Sequence, residues 1–358
     1  MHIVYFITAH GFGHAVRSAT IAANFSPSVS ITFVTDIDSA FFRRELSRPY
    51  TLLPYRFDCG CLQSDFLTVD KKSTLELYRT IAAENENTID EMAAWCRENA
   101  VDGIVSDIVP AAFEVAFRCT IPSLAVTNFT WFSIYREYLA EYPEFAPVLE
   151  NMQVQYRKAG ALIALSPAMP MNCFNRLEEV PVVARKGIDR KEEILSLFGS
   201  DVKKKVAAIY IGDFGMEHTD WSRLSDFSSW EFFGLQTISD APDNYHRIDP
   251  AQLFYPDLVA SADCIFGKLG YSLLAEAMSN GTPVVFPPRT GFAEHPFLER
   301  TIMEWGGGIR LPREAFTRFE WQQALNQVEQ IIPLPVRSDG AETCAGLIEK
   351  YMASNRKQ

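Results

Sequence analysis

The chain has 358 residues, a hydrophobic fraction of 47% and a formal net charge of −12 at pH 7. That length points to two domains, and the apolar fraction is ample for two buried cores. The acidic balance argues against a nucleic-acid partner, which needs a basic face or stripe, although a few local donors can still hold an anion.

Residues 3–8 form a continuous apolar run ending at a glycine loop, the pattern of a strand buried on both faces. Residues 14–25 then read as a helix, 30–35 as a second strand and 39–46 as a second helix. Ser73-Thr-Leu-Glu76 is a capping box that predicts the start of a long helix with Leu75, Ile81, Ile89, Met92 and Cys96 on its apolar face. Its charged face, Glu84, Glu86, Asp90 and Glu91, reads as a solvated surface. Short strands are predicted at 103–106, 123–127 and 161–165. The pattern loosens over 178–189, where Pro181 and Gly187 mark a linker. It restarts with a helix at 191–198 and strands at 206–211, 264–266 and 284–286.

Strands alternating with helices predict parallel, doubly wound sheets. The expected architecture is α/β, with two Rossmann-like domains at residues 1–180 and 190–340 facing across a cleft. A last helix within 341–358 has no address fixed by the sequence; packing back on the first domain is one option. Seven cysteines form no ligand set, because Cys59-Gly-Cys61 has neither a second pair nor a nearby histidine. No metal is therefore expected, and the thiols read as free and buried, as in a cytoplasmic protein. No stretch approaches the length of a membrane span, so no transmembrane segment is expected.

Three places could carry chemistry. His10-Gly-Phe-Gly-His14 stands at the end of the first strand, where open α/β sheets bind ligands. Val16 occupies the place of the third glycine of a dinucleotide fingerprint, which argues against that reading and leaves Gly11 and Gly13 as a phosphate loop. His14 is placed either as a general base or as a neutral group packed at the helix start. Asp107, at another strand end, could orient an imidazole or cap a helix starting near Pro110. Asn128 and Trp131 follow the next strand and, with His10, could line an acceptor pocket or pack between domains.

The third place is Lys268-Leu-Gly-Tyr-Ser-Leu-Leu-Ala-Glu276. A helix beginning near Tyr271 or Ser272, just after Gly270, would aim unpaired N–H groups and a positive dipole end at an anion. Lys268 adds a cation, and Glu276, one turn after Ser272, a carboxylate suited to sugar hydroxyls. Phosphate donors beside a hydroxyl acceptor predict a nucleotide. Further on, Arg289 could pair with phosphate and Glu294, next to His295, with sugar hydroxyls; both charges could equally form rim salt bridges.

These residues carry a resemblance. Lys268 to Glu276 resembles the nucleotide-sugar motif of GT-B glycosyltransferases. Lys268 stands at the phosphate-binding histidine of the plant secondary-product enzymes, Gly270 at their glycine, and Glu276 at their ribose-binding acid. Tyr271 and Ser272 occupy the helix start that donates to phosphate in that family. Glu294-His295 resembles the acid-plus-amide pair that contacts the donor sugar, slightly farther downstream and with histidine replacing glutamine. His10-Gly-Phe-Gly-His14 resembles the N-terminal loop of glycosyltransferase family 28, with His14 at the position of its Gly-Gly-His histidine, and Asp107 is like the carboxylate that partners that histidine in the plant enzymes.

A resemblance along most of the chain is to the glycosyltransferase-like half of L-arabinokinases. It rests on Gly11-Phe-Gly-His14, Asn128-Phe-Thr-Trp131, Pro181-Val-Val-Ala-Arg185, Pro242-Asp-Asn244, and Pro256-Asp-Leu-Val259 through Gly267-Lys-Leu-Gly-Tyr271. The Pro-x-x-x-Gly-x-Gly-Ser-Ser loop of their kinase half is absent, so sugar kinase activity is not implied. A departure is Asp213, where many relatives have a glycine-rich donor loop and where a carboxylate would repel a diphosphate.

The resemblance implies an inverting, metal-independent glycosyltransferase with a nucleotide diphosphate sugar, most commonly a UDP-sugar, as substrate. It needs no cofactor beyond that donor, and its acceptor would be a small-molecule or glycan hydroxyl. His14 would be the base, Asp107 its stabiliser, and Lys268 with the helix start would stabilise the leaving diphosphate. The alternative is a non-catalytic module that binds a nucleotide sugar or sugar phosphate.

Overall fold

The computed structural model describes residues 1–211 and 219–355, so Asp213 lies outside the described residues. Seven strands, β1 (His2–Ile7), β2 (Ser30–Val34), β3 (Thr51–Leu53), β4 (Gly103–Asp107), β5 (Ser123–Thr127), β6 (Ala161–Leu165) and β7 (Arg176–Val180), form one parallel sheet in the order β3-β2-β1-β4-β5-β6-β7. Six more, β8 (Lys205–Tyr210), β9 (Trp230–Gly234), β10 (Tyr245–Arg247), β11 (Cys264–Gly267), β12 (Val284–Phe286) and β13 (Gly308–Arg310), form a second parallel sheet, β10-β9-β8-β11-β12-β13. The strand order reverses between β1 and β4 in the first sheet and between β8 and β11 in the second. Such switch points open a crevice at the carboxyl ends of the strands.

The unbroken apolar runs follow from burial on both faces. Ile3, Tyr5 and Ile7 of β1 enter one core, whereas Val4 and Phe6 enter the core on the opposite face. Ala207 and Ile209 of β8 likewise face away from Val206 and Ala208. The last helix, Gly340–Asn355, lies on the first sheet, where Ala341, Cys344, Ile348 and Met352 join the core of β1 and β2.

Several boundaries differ from the sequence reading: the first helix, Phe12–Ala23, starts two residues before the expected His14, so Gly13 lies in its first turn and not in a loop. The long helix runs Lys71–Glu98, and its start is capped by Asp70, whose carboxylate accepts from the Ser73 amide at 3.0 Å. Ser73 is therefore inside the first turn, where a capping box does not place it. The expected linker begins as strand β7, whose Arg-Leu-Glu-Glu-Val sequence is polar because it forms the sheet edge.

Contacts join the halves at several places, among them two sets of ion pairs. The loop after β3 buries Phe66 and Leu67 in the core of the second sheet, and Asp65 pairs with Arg313 at 2.7 Å. At the far side, Arg185 bonds Glu45 and Glu276. No helix among the described residues is long and apolar enough to cross a membrane.

Candidate functional site

The two helices that follow the switch-point strands both start at one cleft. Helix Phe12–Ala23 follows Gly11 and helix Tyr271–Asn280 follows Gly270, and neither preceding residue supplies a side-chain cap. The first-turn N–H groups of both helices therefore remain available to a ligand. Gly11 has φ 67°, a conformation that a side chain would strain. The helix starts abut each other: Ser272 Oγ donates to the Gly13 carbonyl at 2.9 Å. Between them lies a cavity of about 620 Å³, lined by Gly11, Gly13, Lys268, Gly270, Ser272 and Arg289 among others. That volume is in the range of small-molecule sites.

His14 lines the same cavity, and its Nδ1 lies 3.0 Å from Asp107 Oδ1 at the end of β4. Asp107 is fully buried and does not cap the Ala111–Cys119 helix, which follows Pro110. Its second oxygen belongs to Arg17: the guanidinium straddles the carboxylate, with Nε 2.6 Å from Oδ2 and Nη2 2.5 Å from Oδ1. Burial alone would raise the Asp107 pKa, but the charges of Arg17 and His14 outweigh it and hold the carboxyl at about 2. His14 is lowered below the ordinary histidine value, first by burial and then by Arg17, with Asp107 opposing both. Both effects favour the neutral imidazole.

No family model matches the chain. L-arabinokinase of Arabidopsis thaliana is 29% identical over an alignment of 342 residues that covers 93% of this chain and 32% of that protein. The chain thus spans about a third of the length of the curated relative it matches. Solved structures align over nearly all of it. The glycotransferase of kitacinnamycin has a TM-score of 0.65 at 14% identity, covering 98% of this chain and 99% of that one. CalG4, the calicheamicin glycosyltransferase, has 0.66 at 15% identity, with 98% of both chains covered. Phytolacca americana UGT2, complexed with UDP-2fluoro-glucose and pterostilbene, has 0.60 at 12% identity, covering 99% of this chain and 94% of that one. The fold is GT-B.

Within the GT-B cleft, the residues singled out by sequence divide into two groups. His10, Gly11, Gly13, His14, Lys268, Gly270, Tyr271, Ser272, Arg289 and Glu294 meet at the cavity. Lys268 Nζ donates to Gln63 at 3.3 Å, and the Arg289 guanidinium lies 4.4 Å from the centre of the Phe292 ring. His10 is held neutral, chiefly by burial and then by the charges of His14, Lys268 and Arg289. Glu294 has its carboxyl raised by burial, with Asn128 as the main opposing group.

Asp107 and four other residues lie behind the wall. Trp131 is fully buried, and its Nε1 donates to Asp58 at 3.1 Å, so its ring supports His10 and His14 from below. Asn128 is also fully buried and bonds Glu294. Neither presents a face to an acceptor. Glu276, expected at a ribose, is buried against Arg185, whose Nε donates to it at 2.6 Å. It shares a helix face with Ser272 only loosely: Ser272 turns to Gly13, and Glu276 turns to the ion pair. His295 opens the His295–Trp305 helix, buried, and burial pushes its pKa down to about 4. Arg17 was not singled out, although its signal is present as the sole lysine or arginine of its helix, three residues after His14.

Proposed function

We propose that this chain transfers a sugar from a nucleotide diphosphate donor, in the first place a UDP-sugar, to a hydroxyl acceptor, with inversion and without a metal ion. One observation carries this reading: two uncapped helix starts and two cations, Lys268 and Arg289, converge on a cavity that His14 also lines. The N–H groups after Gly11 and Gly270 suit the diphosphate oxygens. Lys268 and Arg289 provide the positive charge that a divalent ion would otherwise bring to the leaving group. Glu294 takes sugar hydroxyls as an acceptor of their hydrogen bonds.

His14 acts as the base. With its Nδ1 proton directed at Asp107, its Nε2 takes the proton of the acceptor hydroxyl as that oxygen bonds to the anomeric carbon. The bond from that carbon to the diphosphate breaks on the opposite face, and its electron pair leaves with the phosphate. Of the solved GT-B structures, UGT2 with its UDP-2fluoro-glucose supports the donor class.

A thermal-shift series with UDP, GDP and TDP sugars, followed by an assay of nucleotide release with acceptor hydroxyls, tests the reading. Stabilisation by one series and release that is lost in His14→Ala are expected; full release in that variant removes His14 as the base. A second reading, a binding module without turnover, is favoured by the Arg17 clamp on Asp107, which makes His14 a weaker base. Under it, a nucleotide sugar stabilises the protein but no acceptor releases the nucleotide.

A further inference from the structure

His14 Nδ1 lies within bonding distance of two groups at once, Asp107 Oδ1 at 3.0 Å and Arg17 Nη2 at 2.9 Å. The two contacts demand opposite tautomers. A guanidinium has only N–H donors, so a bond from Arg17 requires a bare Nδ1 and leaves the ring proton on Nε2. A carboxylate only accepts, so a bond to Asp107 requires Nδ1–H and leaves Nε2 bare.

The other bonds of Arg17 decide between them. Nε donates to Asp107 Oδ2 at 2.6 Å, Nη1 to Asn128 Oδ1 at 2.5 Å, and Nη2 to Asp107 Oδ1 at 2.5 Å and Thr127 Oγ1 at 3.3 Å. Nη2 thus finds both its acceptors without the imidazole. A bare Nδ1 would set an unpaired acceptor against a buried carboxylate, which is costly. The bonded arrangement is therefore Nδ1–H to Asp107.

The same guanidinium reaches the opposite side of the cleft. Because Asn128 Oδ1 faces Arg17, its Nδ2 faces Glu294 and donates to Oε1 at 2.6 Å. Tyr271, the first residue of the second-sheet helix, lies under the guanidinium, 5.0 Å from ring centre to carbon. The charged and titratable groups facing His14 are then His10 from the loop after β1, Arg17 from its own helix and Asp107 from β4, with Glu294 one residue beyond.

We propose that Arg17 is a positioning residue: planted on Asp107, it holds His14 in the tautomer with a bare Nε2, and through Asn128 it ties that arrangement to Glu294 across the cleft. The proposal rests on the reading of His14 as the base. Its consequence is electrostatic. Arg17 and Asp107 together are nearly neutral, so a proton on His14 meets a shared carboxylate beside a second cation. Without Arg17, the buried carboxylate would hold that proton more tightly, and His14 would be occupied at neutral pH.

The test is nitrogen NMR of the imidazoles in the full chain, which needs no turnover. Wild-type His14 is expected as the Nδ1–H tautomer; the Nε2–H tautomer overturns the proposal outright. In Arg17→Gln the His14 titration should move to higher pH, and the acid limb of kcat/KM should move with it. At about pH 6 this variant should then lose about tenfold more activity, relative to wild type, than at about pH 8. Equal loss at every pH, with the His14 titration unmoved, marks Arg17 as merely structural and overturns the proposal.

Removing the cation leaves Asp107 buried and unpaired and can unfold that variant, so Arg17→Lys is the companion. It keeps the charge without the planar fork, and a fall of about tenfold in kcat is expected, with wild-type activity counting against the proposal. The two readings separate cleanly. If no acceptor is glycosylated yet the His14 titration responds to Arg17, the transferase reading fails and the positioning holds. If transfer occurs and His14 ignores Arg17, the positioning fails alone.

Discussion

A histidine beside an aspartate is a strong base only to the extent that the carboxylate is free. In this chain Arg17 occupies the Asp107 carboxylate with two N–H bonds, and burial adds to the cost of charging His14. The wild-type acid limb of kcat/KM is therefore expected below the ordinary histidine value of 6.5, and a limb at or above it contradicts the base assignment. A second buried acid gives a stability test. Asp58, bonded by Thr8 and the Trp131 indole, is raised from 3.8 to about 6, chiefly by burial. The folded state holds this proton more tightly than the unfolded chain, so stability falls as pH rises through about 4 to 6, by about 3 kcal/mol in all. Asp58→Asn should melt above wild type at about pH 7.5 and level with it at about pH 4; identical melting offsets at both pH values would refute the assignment.

Helix starts are the elements on which the site depends, and their two glycines do different work. Gly270 is extended, at φ −133° and ψ 164°, and a Cβ there would meet no atom within 4 Å. Gly270→Ala should leave stability within about 0.5 kcal/mol of wild type. Its methyl would stand in the path to the N–H groups, so nucleotide-sugar affinity should fall about tenfold. Titration calorimetry with unchanged affinity would remove this helix start from the site. Gly11, at φ 67°, is held by backbone geometry, and Gly11→Ala should cost about 1–3 kcal/mol by thermal denaturation. Both glycines were legible in the sequence after apolar strands, although the first helix was read from His14 and begins at Phe12. The face of Glu276 was not legible, since one turn of spacing leaves its direction open until the Arg185 side chain arrives.

The whole molecule holds its cleft by contacts that span long stretches of chain. Phe66 and Leu67 leave the first sheet to enter the core of the second, and the Phe66 ring lies 6.2 Å from that of Phe316. Phe66→Ala should cost about 3–5 kcal/mol. Because the loss falls on the joint, urea unfolding followed by hydrogen exchange should protect the two sheets unequally in this variant. A single cooperative transition with both sheets equally affected would show that the halves are coupled elsewhere.

The sequence by itself determined the layers. Apolar runs that end in glycines, followed by amphipathic helices, leave a doubly wound sheet as the arrangement that buries both faces of each strand, and they recur in the two halves. It also placed His14, Asp107, Gly270 and Lys268 at strand ends, where such sheets bind ligands. Tertiary structure alone decided which polar groups meet. Asp107 could cap a helix or hold an imidazole by its own chemistry; a guanidinium on a different element chose for it. Glu276 became an ion-pair partner and Trp131 a buried support, because Arg185 and Asp58 come from segments far away along the chain. Local pattern reports burial and period, while hydrogen-bond partners across a cleft are set by how the elements pack, which no local spacing encodes.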